Sequence, residues 1–150
     1  TLCLIIQMDS RIQNIINHQS KNLNSIIKSN YSASYLNDTK WEKLIESLTD
    51  SLGEVFINYK LVYDNVIEGH LIDCVDFQPY FIEPITYQEV EWIEFPNSYE
   101  DWVNKNNLKA GKKIYNQDLK KIKEELNKVG QFKIDNFGYS IKLYAYQVKN

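Results

Sequence analysis

The chain has 150 residues, 43% of them hydrophobic and 25% charged, with a formal net charge of −3. Those proportions exclude a disordered or low-complexity chain, and the length suffices for one domain burying about 68–70% of the surface its unfolded form exposes. Cys3 and Cys74 stand far apart and match neither a CxxC redox pair nor a zinc-ligand spacing, which leaves two buried or incidental thiols in a reducing cytoplasm.

The opening run TLCLIIQM has no basic residue ahead of it and no small-residue cleavage site, and it breaks too early to span a membrane. A soluble cytoplasmic protein without a targeting signal is expected. Sixteen Lys against the single Arg11, with many Ile and Asn, point to an AT-rich and bacterial genome. From Asp9 to Lys28, Ile12, Ile15, Ile16, Leu23, Ile26 and Ile27 recur at helical spacing and predict an amphipathic helix. KSNYSASYLND reads as a polar connector. Thr39 and Glu42 then fit a capping box for a second helix, with Trp41, Leu44, Ile45, Leu48 and Leu52 as its buried stripe and Gly53 as its stop.

Alternation from Val55 to Asp64 predicts a strand, and His70–Phe77 and Tyr87–Phe95 predict two more. Pro79 and Pro84 between them cannot donate to a ladder and mark a loop or edge. SYEDWVNK reads as a short helix capped by Ser98, and LKAGKKI as a loop. Asn116 is placed as the cap of a helix over Gln117–Val129 that buries Leu119, Ile122, Leu126 and Val129, with Gly130 ending it. Phe132 and Ile134, then Ile141, Leu143 and Ala145, predict the inward faces of a hairpin turning at Asn136–Gly138. The fold class is therefore α+β: a mainly antiparallel sheet of about five strands with helices packed on it, plus the N-terminal helix. Residues 1–33 form the N-terminal helix and connector, and residues 34–150 one domain.

Charge is unevenly distributed. Residues 61–104 hold ten acids and no base, whereas residues 105–150 hold eleven Lys and four acids. The plain reading is that acidic middle and basic end neutralise each other across a solvated surface, each exposed pair contributing roughly 0–1 kcal/mol. The functional reading is an acidic surface set with aromatic rings that docks on a basic protein, with carboxylates steering the encounter and a few desolvated rings anchoring it. An enzyme that grips phosphates presents Lys and Arg, so an inhibitor of a nuclease-type toxin would present acids against them. Asp73, Asp76, Glu89, Glu91, Trp92 and Glu94 are the candidate partner-binding residues. At least half of the aromatic residues in this stretch are expected in the core.

Other chemistries are weaker. His70, Asp73, Cys74 and Asp76 are metal-ligand types, but on a strand His70 and Asp73 face opposite sides, so no metal is expected. Glu89 and Glu91 could form an acid/base pair in a small carboxylate enzyme, although carboxylates at alternate strand positions more often solvate a face. His18 has no Ser or Cys partner. No Walker loop, GxGxxG or zinc signature is present, so no catalytic residue and no cofactor is assigned. The Lys of the C-terminal helix alternate with Asp118, Glu124 and Glu125, which reads as a solvated face rather than a nucleic-acid site. Neither nucleic acid nor membrane is an expected partner. A third possibility is an oligomeric adaptor assembled through the N-terminal helix.

SYLNDTKW (Ser34–Trp41), taken with YKLVYD, YQEVEWIEF, the Lys-rich helix and IKLYAY, resembles a family of small bacterial proteins of uncharacterised function that share an Asn-Asp-Thr-Lys-Trp helix start. The likeness spans roughly residues 34–147 and implies no catalytic residue; the position after the Trp, often Arg in that family, is Glu42 here. More loosely, the small acidic α+β outline resembles immunity proteins of contact-dependent and polymorphic toxin systems, which implies an inhibitor of a bacterial toxin. The physical reading of the motif is a helix cap at Asp38 or Thr39, with Trp41 sealing the core.

Overall fold

The computed structural model describes residues 22–76 and 78–150. Residues 22–30 form helix α1, whose Leu23, Ile26 and Ile27 are partly buried against the core. The rest of the predicted N-terminal helix, and Phe77, lie outside the described residues. Tyr31–Ser34 is strand β1, followed by helix α2 (Asp38–Leu52), β2 (Val55–Leu61), β3 (Ile67–Ile72), β4 (Tyr80–Ile82) and β5 (Ile85–Thr86). A 3₁₀ turn at Tyr87–Glu89 leads into β6 (Val90–Pro96) and β7 (Ser98–Trp102). A second turn at Leu108–Ala110 precedes β8 (Lys112–Asn116), helix α3 (Leu119–Val129), β9 (Lys133–Asn136), β10 (Ser140–Tyr144) and β11 (Tyr146–Val148).

The main sheet has five antiparallel strands in the order β3-β2-β6-β10-β9, so the expected α+β class is observed. Its inner face carries Ile57, Ile93, Phe95, Ile141 and Leu143, all fully buried. Trp41, Leu44, Ile45 and Leu48 of α2 and Ile122 and Leu126 of α3 complete that core. The helical spacing of these residues puts each set on one stripe, and burying such a side chain is worth about 1.5–3 kcal/mol. The outer face carries Phe56, Asn58 and Lys60 of β2, Trp92 and Glu94 of β6, and Lys142 and Tyr144 of β10, placed side by side by the register.

Several local expectations are corrected. The cap of α2 is Asn37, whose extended backbone lets its Oδ1 accept from the Lys40 N–H at 2.8 Å; Asp38 and Thr39 are already inside the first turn. The capping box lies instead at Thr86 and Glu89, ahead of the 3₁₀ turn. Tyr31–Ser34 is not a bare connector, because it pairs antiparallel with β11 and buries Tyr31 against Tyr146. The third strand begins at Ile67 rather than His70 and ends at Ile72. SYEDW is a strand, since Tyr99 stacks on Phe56 and on Tyr115 across β8, a contact that needs period-two rather than helical geometry. The stretch read as a loop supplies the start of β8. Helix α3 starts later, capped by Asp118 through the Lys121 N–H. Its predicted first residue, Gln117, is occupied elsewhere: its side chain accepts from the Phe56 N–H and donates to the carbonyls of Phe56 and Pro96, pinning the base of the β7–β8 hairpin.

Candidate functional site

The six candidate docking residues do not form one patch. Glu91 sits at a bulge where Lys60 pairs with Trp92 and Leu61 with Val90, so it is the extra residue on β6. The bulge turns its carboxylate to Lys60 Nζ, 3.1 Å away, and to the hydroxyl of Tyr31, which donates to it. Lys60 and Glu91 expose only 16% and 12% of their side chains. Burial first, and then the bond to Glu91, hold the Tyr31 hydroxyl well above the usual tyrosine range. Glu89 is occupied as well, accepting from the Thr86 N–H and hydroxyl and from the Tyr63 hydroxyl.

Trp92 and Glu94 share the outer face of the sheet. Trp92 is 7% exposed, and the Lys142 ammonium lies 4.0 Å from the centre of its ring. Glu94 accepts a long bond from the Ser140 hydroxyl. Asp76 accepts from the Glu83 N–H at 3.0 Å and so braces the loop before β5. Asp73 is exposed and lies against α2, which covers the opposite face of the sheet from Trp92 and Glu94.

Around Asp73 a different group assembles. Glu42, Glu46 and Asp50 follow each other at i, i+4 and i+8 on α2 and, with Asp73, Thr49, Cys74 and Val75, line a depression of about 370 Å³. Successive helical positions four apart stand on one face, so three carboxylates are stacked beside a fourth. None of these four carboxylates has an ion-pair partner among the described residues. The Cys74 thiol is held above its usual range by its hydrogen bond to Asp73 and then by burial, which makes it a poor nucleophile. Counting charge by segment hid the α2 acids, because they fall in a stretch whose net charge is zero; the fourfold spacing was the signal that could have found them.

A larger hollow of about 540 Å³ opens at the start of α2, lined by Asn37, Asp38, Thr39, Trp41, Tyr87 and Tyr146 among others. Tyr87 is 1% exposed, and its hydroxyl has no hydrogen-bond partner among the described residues. Burial, with the carboxylates of Glu42, Asp76 and Asp38 adding to it, pushes its pKa up to about 12. Among the described residues no group of His, Cys, Asp and Glu is arranged to hold a metal ion.

Comparison with known families finds a match to DUF6678, a family of unknown function, over residues 23–150. The chain belongs to that family. No curated protein and no solved structure matches it. The DUF6678 match takes in every strand from β1 to β11 and the Asn37–Trp41 helix start. In this DUF6678 chain the Asn-Asp-Thr-Lys-Trp motif has a clear mechanical part. Asn37 caps α2, Lys40 donates to the Gln131 carbonyl at 2.7 Å while lying over the Phe132 ring, and Trp41 stacks on Tyr87 in the core.

Of the eight described aromatic residues in the acidic stretch, Phe81, Tyr87, Trp92 and Phe95 are buried, Tyr80 and Tyr99 half-buried, and Tyr63 and Trp102 exposed. Among the described residues there are two ion pairs, Lys60–Glu91 and Lys128–Glu125. No carboxylate of residues 61–104 is paired with a Lys of residues 105–150. Instead Lys112, Lys113 and Lys142 lie over the rings of Trp102, Tyr115 and Trp92. No direct ion pair therefore joins acidic middle and basic end among the described residues, although the register sets Glu94 opposite Lys142 and Asp101 opposite Lys113.

Proposed function

We propose that this chain works by binding a basic protein, as a non-enzymatic cytoplasmic inhibitor of the immunity type that covers the phosphate-gripping surface of a nuclease-like bacterial toxin. One observation carries the reading: Glu42, Glu46, Asp50 and Asp73 line one depression with no ion-pair partner among the described residues, so their charge is available to a partner. The docking centre on this reading is Asp73 with Glu42, Glu46 and Asp50. Glu89, Glu91 and Asp76 have internal bonds to keep, and Trp92 and Glu94 belong to the opposite face. Four unpaired carboxylates around one depression repel each other, and Lys or Arg side chains from a partner would relieve that cost while excluding wrong partners by like-charge contact.

A carboxylate enzyme is less well supported, because Asp73, Asp76, Glu89 and Glu91 do not meet in one cavity. The test is co-expression with the polypeptide encoded beside this chain. A stable complex with a basic domain whose toxicity this chain suppresses supports the reading. An acidic partner, or suppression that survives Glu46→Lys with Asp50→Lys, overturns it.

A further inference from the structure

The β7–β8 hairpin has the opposite character to the acidic depression. From Trp102 to Tyr115 the chain carries Lys105, Lys109, Lys112 and Lys113 and no acid, and all four Lys are exposed. Between them stand Trp102, Val103, Leu108 and Ile114, which are 37%, 50%, 57% and 67% exposed. The register explains how they stay in water. Tyr99 and Tyr115 share the side on which Tyr99 stacks on Phe56 and on Tyr115, whereas Trp102, paired with Lys112, and Ile114, paired with Glu100, take the other side. Gln117 pins the hairpin base to β2 and β6. The fold thus grips one face of the hairpin and leaves the other, with a tip exposed from Trp102 to Ala110, free. Scattered exposed apolar residues are ordinary, but four on one Lys-rich hairpin end, whose free face carries one acid, Glu100 opposite Ile114, form a surface of defined chemistry.

We propose that this hairpin docks on the surface of an anionic lipid bilayer. Val103, Leu108 and Ile114 enter the boundary between headgroups and acyl chains, Trp102 sits at headgroup level, and the ammonium groups of Lys105, Lys109 and Lys112 meet lipid phosphates and carboxylates. A nucleic acid would use the Lys and could stack a base on Trp102, but it offers nothing to three exposed aliphatic side chains. An acidic protein would need a groove shaped to a tip exposed on all sides, whereas a bilayer accepts one without prior fit. No described helix is long and apolar enough to cross a membrane, so the contact is peripheral. The Lys of α3 play no part, since they share their helix with Glu124 and Glu125. This inference is independent of the acidic docking surface, which uses other residues of opposite charge.

The test is co-sedimentation of the full chain with phosphatidylcholine vesicles, with and without phosphatidylserine, together with Trp emission. Binding only to the anionic vesicles is expected, weakened by salt, with a blue shift assigned to Trp102 because Trp41 and Trp92 are already buried. Lys109→Ala with Lys112→Ala should lower the partition about 25-fold, at about fivefold per Lys. Leu108→Ser with Ile114→Ser should abolish the blue shift at unchanged charge. All four replaced side chains are exposed, so circular dichroism should stay unaltered. Equal partition onto both vesicle types, no partition at all, full retention by the Leu108/Ile114 variant, or a larger Trp shift with duplex DNA or polyglutamate than with vesicles would each overturn the proposal.

Discussion

Removing the Glu91 carboxylate is expected to destabilise the fold by about 3 kcal/mol. The gross attraction across 3.1 Å is about 5 kcal/mol at an effective dielectric constant near 20. Desolvation of both groups offsets much of that in the intact protein, but the offset is not recovered when one partner is deleted. Breaking a buried pair costs about 3–5 kcal/mol. The residual exposure of 16% and 12% lowers that figure, and Lys60 keeps a second bond to the Leu61 carbonyl at 3.0 Å. Loss of the acceptor for Tyr31 adds about 1 kcal/mol back. Urea unfolding of Glu91→Ala, Lys60→Met and Lys60→Met/Glu91→Ala measures the pair by a double-mutant cycle, and the double variant Lys60→Met/Glu91→Leu refills the site with apolar groups. Each single change should be costly, and the refilled double variant should recover to within about 1 kcal/mol of the parent. If Glu91→Ala costs less than about 1 kcal/mol and the coupling is near zero, the pair is an ordinary surface bridge and Glu91 returns to the docking set.

Gly69→Ala should cost about 1–3 kcal/mol by overpacking, since an added Cβ would stand 2.6 Å from Cζ of Phe56, the ring on which Tyr99 stacks; near-UV circular dichroism would report the displaced stack. Asn37→Ala should lower thermal stability by about 1 kcal/mol, whereas Thr39→Ala, inside the first turn, should change it by less than half as much. Tyr87→Phe removes a buried hydroxyl with no hydrogen-bond partner among the described residues and is expected to stabilise by about 1 kcal/mol in urea unfolding at neutral pH, with a loss of similar size arguing against the orphaned hydroxyl. The fold favours the neutral form of Tyr87. Its contribution therefore holds below the unfolded pKa near 10 and fades as pH rises toward 12, so the variant should also unfold less steeply in alkali.

The elements that the sequence made legible are those whose periodicity reflects one buried stripe. The α2 stripe Trp41, Leu44, Ile45 and Leu48 and the β9–β10 hairpin are where their spacing puts them. The misread segments are those whose partners are distant. Ser98–Trp102 has no apolar stripe of its own, and only a ring on β2 and a Gln beyond β8 make it a strand. The α2 cap slipped by two residues because Asn37, Asp38 and Thr39 are all capping types, and the choice rests on which backbone is extended. For the site, composition gave the sign of the charge but not its address. Pairing of Glu91 with Lys60 across a bulge, and use of Glu89 as a cap, depend on register and cannot be counted from a charge tally.

The most direct measurement is the affinity of the purified chain for a basic partner of the kind proposed above, captured by co-expression and titrated across salt, for the parent and for Glu46→Lys with Asp50→Lys. Both replaced residues are exposed on α2, so unfolding in urea should be nearly unchanged. The expected result is parent binding that weakens with rising salt, and a variant at least tenfold weaker with a shallower salt dependence, because like charges now face the partner. Equal affinity of the two proteins at every salt concentration would contradict docking through the acidic depression.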